Sequence, residues 1–158
     1  MTTKLTLEEK ATNSDTLQHI ARVRDLLDTC IKELLDRGRH HDQSKLRSPE
    51  VESFTEFTNK LAKSTYGSPE YDGFKAAMKP ALDHHYANNR HHPEHFKNGI
   101  QDMNLIDLLE MLCDWKAASE RHDNGNIRKS IEINAGRFNM SPQLTRIFEN
   151  TADILFKE

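Results

Sequence analysis

A histidine and an aspartate stand side by side at His41-Asp42, and Lys45 follows three residues after the aspartate. An imidazole nitrogen and a carboxylate oxygen form a ligand pair that divalent Mn, Fe, Co, Ni or Zn accepts. The lysine adds a cation that could bind an anion beside such an ion. A His-Asp pair also arises by chance on protein surfaces, so it predicts a metal site only if other parts of the chain supply further ligands.

Histidines are concentrated in one part of the chain, since seven of the nine fall within residues 40–95. Four of them form two adjacent pairs that stand seven residues apart: His84-His85 and His91-His92. A hydrogen-bonded polar surface could contain such pairs, but regular packing does not require them. The functional alternatives are ligation of a second metal, acid–base catalysis and substrate binding. Arg90, between the two pairs, is placed for bidentate binding of a phosphate or carboxylate.

A later segment combines apolar residues with carboxylates. Eight of the eleven residues at 105–115 are apolar and lie on all sides of a predicted helix, which should therefore be central and buried. The same helix contains Asp107, Glu110 and Asp114 at spacings of three and four, which place them on one face. Buried carboxylates need a cation, hydrogen bonds or a raised pKa, whereas a narrow solvent-facing strip would need none of these. Because histidines occur elsewhere in the chain, the pattern favours metal ligation by one of the three.

Helical periodicity extends over most of the sequence and predicts a single all-α domain of six or seven helices. Residues 1–13 are expected to be a polar arm, with Thr6 and Glu9 spaced as a short capping box. The predicted helices are a long one from residue 13 or 14 to Gly38, then others at about 49–63, 69–88, 103–121, 127–138 and 142–157. Pro80 should kink or split the third of these.

Local signals mark the helix ends and the loops. Three Ser-Pro pairs have the arrangement of a capping serine followed by proline at the first helical position: Ser48-Pro49, Ser68-Pro69 and Ser141-Pro142. Loops or turns are predicted at Tyr66-Gly67, 88–96 and 123–126.

Composition limits the classes of function. The chain has 158 residues and a net charge of −3 without a long basic run, which argues against a protein that coats nucleic acid. The isolated cysteines Cys30 and Cys113 fall within apolar helical patterns and are expected to be reduced core residues. With no apolar span of membrane length and no secretion signal, a cytoplasmic protein is expected.

The order of these residues resembles the HD-domain superfamily of metal-dependent phosphohydrolases. Its ligands are a helix His, an adjacent His-Asp pair and a later helix Asp, which this resemblance assigns to His19, His41, Asp42 and Asp114. Residues 41–45 are similar to the superfamily's His-Asp-x-x-Lys variant, and residues 112–118, Leu-Cys-Asp-Trp-Lys-Ala-Ala, look like its late Asp motif. Residues 39–119 resemble, more closely, a small uncharacterised family found in phages and bacteria.

The resemblance covers roughly residues 15–120 and implies hydrolysis of a nucleotide or related small phosphate ester. It implies a divalent transition metal, one ion with room for a second, and Lys45 and Arg90 neutralising phosphate charge. One of four histidines would protonate the leaving oxygen: His84, His85, His91 or His92. The close spacing of the His pairs, and Lys45 where some nucleotidases have an acidic residue, leave the metal count and the general acid or base open.

Two other functions are compatible with the same residues. Some HD-superfamily members are diiron oxygenases with histidine-rich sites, and a helical nucleotide- or metal-binding module would need no catalysis. The expected partner is a small phosphorylated substrate, with no membrane and no extended nucleic-acid surface. Pairing of the C-terminal helices would allow a homodimer or a higher oligomer. If the chain is phage-encoded, its compartment would be the host cytoplasm.

Overall fold

The computed structural model describes residues 5–64, 68–121 and 125–156, except for the side chain of Ala62. All regular structure in these residues is helical, which confirms the predicted all-α class. The α-helices are α1 (Leu7–His40), α2 (Glu50–Lys63), α3 (Pro69–Ala77), α4 (Lys79–Asn88), α5 (Leu105–Ser119), α6 (Ile127–Arg137) and α7 (Pro142–Leu155). Short 3-10 helices lie at Gln43–Leu46, Pro93–His95 and Gly99–Asp102. The chain divides into two compact units, Met1–Arg39 and His40–Glu158.

Helix α1 begins earlier and ends later than the sequence predicts. The predicted capping box starts it: the Glu9 carboxylate accepts from the Thr6 backbone N–H at 2.7 Å, and the Thr6 hydroxyl accepts from the Glu9 N–H at 3.2 Å. Residues 7–13 are therefore helical, and the predicted helix start at residue 13 or 14 is wrong. Gly38 does not end the helix, because a helical glycine costs only about 1 kcal/mol. The chain turns instead at Asp42, whose φ of 56° is left-handed.

Proline and serine signals place most of the later helix ends correctly. Pro80 lies in the first turn of α4, and Met78 separates this helix from α3, so the predicted split is confirmed. Ser68 and Ser141 cap α3 and α7 by accepting backbone N–H hydrogen bonds. The prediction is wrong at Ser48, because Pro49 takes the N-cap position of α2. The predicted loop at Tyr66-Gly67 lies outside the described residues, as do residues 123 and 124 of the predicted turn.

The hydrophobic core of the second unit lies among α5, α6 and α7. Its buried residues are Met103, Met111, Leu112, Ile127, Ile131, Met140, Phe148 and Ala152. The prediction that α5 is buried on all sides is wrong, since Leu105 is 80% exposed. The expectation of core cysteines is also wrong, because Cys30 and Cys113 are exposed free thiols. The apolar residues on all sides of α5 therefore predicted more burial of this helix than the structure shows.

Helix α2 packs against α3, α4 and the Gln43–Leu46 3-10 helix. This second group of helices carries the His41-Asp42 turn and the first histidine pair. No helix in the described part of the chain combines the length and the apolar character needed to cross a lipid bilayer.

Candidate metal centre

Four segments of the second unit bring polar side chains together. The turn after α1 contributes His41 and Asp42, the last part of α4 contributes His85, and the following turn contributes His91 and His92. Helix α5 contributes Glu110 and Asp114, from the face that the sequence pattern predicts. Asp42 is the N-cap residue of the Gln43–Leu46 3-10 helix and has a left-handed backbone conformation.

One oxygen of Asp42 lies among three imidazoles. Asp42 Oδ1 is 3.3 Å from His85 Nε2 and 3.5 Å from His91 Nε2, and His85 Nε2 is 2.9 Å from His92 Nε2. Ligand atoms of these four residues lie within 4.8 Å of one another. Asp42 Oδ1 and His91 Nε2 are buried and have no hydrogen-bond partner within the described part of the chain. Such atoms are costly without a partner, and a divalent cation suits both.

The other oxygen of Asp42 belongs to a second group. Asp42 Oδ2 and Asp114 Oδ1 each lie 3.6 Å from His41 Nε2. Asp42 therefore offers one oxygen to each group, an arrangement that accommodates one ion or two ions sharing this carboxylate. A third group, His41, His91 and Glu110, joins through the imidazole Nδ1 atoms at 3.0 and 3.2 Å. These distances are those of ordinary hydrogen bonds.

The protonation preferences of the cluster agree with a cation site. The Asp114 and Glu110 carboxylates beside His41 raise the pKa of its imidazole to about 10. Burial and the neighbouring His91 and His85 lower the pKa of His92 to about 3, which leaves a neutral imidazole as ligation requires. The Asp114 and Glu110 carboxylates therefore stabilise a positive charge beside them, whereas the His92 ring carries none.

Asp42 remains ionised. Burial alone would raise its pKa, but the hydrogen bond and positive charge of Lys45, together with the neighbouring His41 and His85, outweigh burial and hold the pKa below its usual value. Lys45 Nζ lies 2.7 Å from Asp42 Oδ2 and 5.3 Å from the centre of the Phe54 ring. The three-residue spacing thus places the lysine on the same side as the aspartate, as expected.

The sequence matches a protein family over residues 8–154, described as "Family of unknown function (DUF5662)". The chain belongs to DUF5662. The match includes every residue of the three ligand groups. Searches of curated proteins and of solved structures gave no match.

In this DUF5662 protein, three of the four predicted ligands meet in one group: His41, Asp42 and Asp114. His19 lies in the first unit with an exposed side chain, and it is in none of the ligand groups found in the described residues. Its ligation stays a prediction. Three histidines predicted to be catalytic lie at ligand distance instead: His85, His91 and His92. The sequence could indicate that these three histidines are functional, but it could not show that they lie close enough to Asp42 to share a metal ion with it.

The sequence pattern did not identify Glu50, a buried glutamate next to this cluster. Glu50 is fully buried and contacts both His84 and His85 through its two carboxylate oxygens, at 2.7 and 2.9 Å. An acidic residue in the first turn of a helix is ordinary in sequence, so nothing there distinguished Glu50 from the exposed Glu52.

Arg90 has a partner within its own chain. Its guanidinium donates to both oxygens of the fully buried Asp107, at 3.2 and 3.0 Å, and lies over the Phe96 ring. The bidentate geometry predicted for a phosphate is thus used for a carboxylate. The pair connects the turn after α4 to the start of α5, and so holds together two segments of the candidate metal centre.

Arg90→Met is expected to destabilise the fold by about 2 kcal/mol, because it removes a bidentate cationic partner from the fully buried Asp107 carboxylate. Denaturant unfolding measures this loss. Arg128→Met is the matched control, since both partners of the Arg128–Asp153 ion pair are more than half exposed and its removal should cost less than about 0.5 kcal/mol. Unchanged stability with a raised KM would instead assign Arg90 to substrate binding.

Proposed function

We propose that this DUF5662 protein is a metal-dependent phosphohydrolase acting on a nucleotide or a related small phosphate ester. The observation that carries the proposal is a pair of buried atoms, Asp42 Oδ1 and His91 Nε2, which lie 3.5 Å apart in a cluster of imidazoles and find no hydrogen-bond partner among the described residues. A lysine lies directly beside it. Metal ligands next to the Lys45 ammonium suit a phosphate group, because this cation offsets the repulsion between the acidic ligands and the phosphate charge.

The residues divide into two ligand sets around Asp42. Oδ1 with His85, His91 and His92 would form one, and Oδ2 with His41 and Asp114 would form the other. When bound, a divalent transition metal supplies a water of lowered pKa and polarises a phosphoryl oxygen. Asp42 and Asp114 would balance the charge of the ion, and the imidazoles, each with a deprotonated Nε2, would complete its coordination.

Lys45 is the anion-binding group of the proposed site. Its side chain is about one-third exposed, so the ammonium can contact a ligand that enters from solvent while it remains beside Asp42. His84 is the proposed general acid. It belongs to none of the ligand groups found in the described residues, and its side chain is 41% exposed. Its place next to His85 on α4 brings a titratable ring to the edge of the centre.

A panel of nucleoside mono-, di- and triphosphates, assayed with Mn²⁺, Fe²⁺, Co²⁺, Ni²⁺ and Zn²⁺, tests the proposal. The expected result is phosphate release from at least one nucleotide, lost on chelation and restored by metal. Binding of metal and nucleotide without product would identify a binding module instead. Oxygen-dependent conversion of the substrate by a coloured iron protein would identify an oxygenase.

A further inference from the structure

Glu50 contacts the His85 ring at Nδ1, the nitrogen opposite the one that faces Asp42. The first residue of α2, it is fully buried, with Oε2 2.9 Å from His85 Nδ1. The Ser44 hydroxyl donates to the same oxygen at 2.9 Å, and His84 Nδ1 lies 2.7 Å from Oε1. An ionised carboxylate can only accept hydrogen bonds, so the imidazole nitrogens that face it must carry the hydrogens.

A second contact supports this assignment of hydrogens. The Asn89 amide nitrogen lies 3.0 Å from His85 Nδ1, and as a donor it would require the opposite tautomer. Its two hydrogens are directed elsewhere, to the His85 carbonyl oxygen at 2.7 Å and to Ser44 Oγ at 2.8 Å. The Ser44 hydrogen in turn goes to Glu50. The hydrogen at His85 Nδ1 is thus the ring's own, and the lone pair of the neutral ring is on Nε2.

The His85 lone pair meets an acceptor. His92 Nε2 lies 2.9 Å from His85 Nε2 and can donate a hydrogen to it in the metal-free protein. His85 Nε2 also faces Asp42 Oδ1 at 3.3 Å, and a carboxylate oxygen has no hydrogen to share with it. Two acceptors held this close are stabilised by a cation between them. The network around Glu50 therefore prepares the His85 ring for ligation and not for a hydrogen bond with Asp42.

Glu110 has the same relation to two other rings. Its Oε1 lies 3.0 Å from His41 Nδ1 and 3.2 Å from His91 Nδ1. Hydrogens on these nitrogens direct Nε2 of each ring to the centre, where an ion would displace the second hydrogen of the protonated His41 ring. His91 Nε2 has no hydrogen-bond partner among the described residues. His41 belongs to the group with Asp114, and His91 to the group with His85. One carboxylate therefore orients a ring in each group.

We propose that Glu50 and Glu110 are positioning residues that fix the imidazole tautomers of the metal centre, Glu50 for His85 and Glu110 for His41 and His91. This role rests on the proposed metal centre but not on the reaction. Carboxylates behind ligating histidines fix ring orientation and raise ligand basicity, and their loss typically weakens metal binding by about 10–100-fold. Because Glu110 serves both groups and Glu50 serves one, their removal should have different consequences.

Calorimetric titration with Zn²⁺ and the visible spectrum of the Co²⁺ form test the roles of the two residues. Glu50→Gln and Glu110→Gln keep the side-chain volume and should each weaken Zn²⁺ binding by about 10–100-fold. Where the wild type binds two ions, Glu50→Gln should weaken one and Glu110→Gln both. The Co²⁺ spectrum should change in both variants. The matched control is Glu52→Gln, because Glu52 is an exposed residue of α2, the helix that contains Glu50. This variant should bind Zn²⁺ as the wild type does.

Nitrogen NMR of the metal-free wild type gives a second test that needs no variant to fold. The expected result is a hydrogen on Nδ1 and none on Nε2 for His85. A ring protonated on Nε2 instead would overturn the role of Glu50. Wild-type Zn²⁺ affinity in both glutamine variants would overturn the positioning proposal while leaving the metal centre intact. A wild type that binds no Zn²⁺ or Co²⁺ would overturn the proposed function itself.

Discussion

Asp42→Asn is expected to lose the metal and the hydrolytic activity together. Asp42 offers Oδ1 to one ligand group and Oδ2 to the other, so removing its charge affects both. The loss of metal affinity should exceed the roughly 100-fold that marks the upper range for residues behind the ligands. Asparagine is the suitable substitution because it tolerates the left-handed φ of 56° at this position, where alanine would add backbone strain.

Elemental analysis and turnover, measured on one preparation, check this expectation. Asp83→Asn is the matched control, because Asp83 is an exposed α4 residue paired with Lys79, outside the ligand groups found in the described residues. The control should keep wild-type metal content and rate. An Asp42→Asn protein with full metal content and full activity would show that this carboxylate is not a ligand.

Lys45→Met is expected to reduce kcat/KM for a phosphorylated substrate by about 10–1,000-fold, the range for losing one electrostatic contact of roughly 1.4–4 kcal/mol. Metal content should change little, because the ammonium is a hydrogen-bond partner of Asp42 and not a ligand. The expected separation of turnover from metal content distinguishes an anion-binding lysine from one that only supports the centre.

Lys60→Met provides a close control for this variant. Lys60 also pairs with a carboxylate, Glu56, and lies over an aromatic ring, Phe57, but it is on an exposed part of α2. Its removal should leave kcat/KM within about twofold of the wild type, as expected for a surface residue. Lys45→Met with the same unchanged kcat/KM would mean that Lys45 does not contact the substrate.

The helices were predictable because their ends depend on local chemistry. Pro80 splits a helix wherever it occurs within one, and Ser68 caps the helix that follows it through its own hydroxyl. The end of α1 was not predictable in this way. A helix can continue through Gly38 at modest cost, and the turn instead uses Asp42, a residue type that takes left-handed backbone only in some contexts.

The site residues were predictable by type but not by arrangement. The order of His41, Asp42 and Asp114 indicated a group, and the structure brings them together. Arg90 was predicted to bind phosphate because its bidentate geometry suits any oxyanion, and sequence spacing did not show that Asp107 supplies one. Glu50 could not be found because its full burial results from the packing of α2 against α4, which one sequence does not reveal.

Anomalous diffraction from crystals of the Zn²⁺-loaded protein tests the metal centre most directly. The expected result is an anomalous peak within about 2.0–2.2 Å of both Asp42 Oδ1 and His91 Nε2, the usual lengths for zinc bound to carboxylate and imidazole. A map without a peak at these two atoms, with an ordered water hydrogen-bonded to both instead, would contradict the assignment of this cluster as a metal centre.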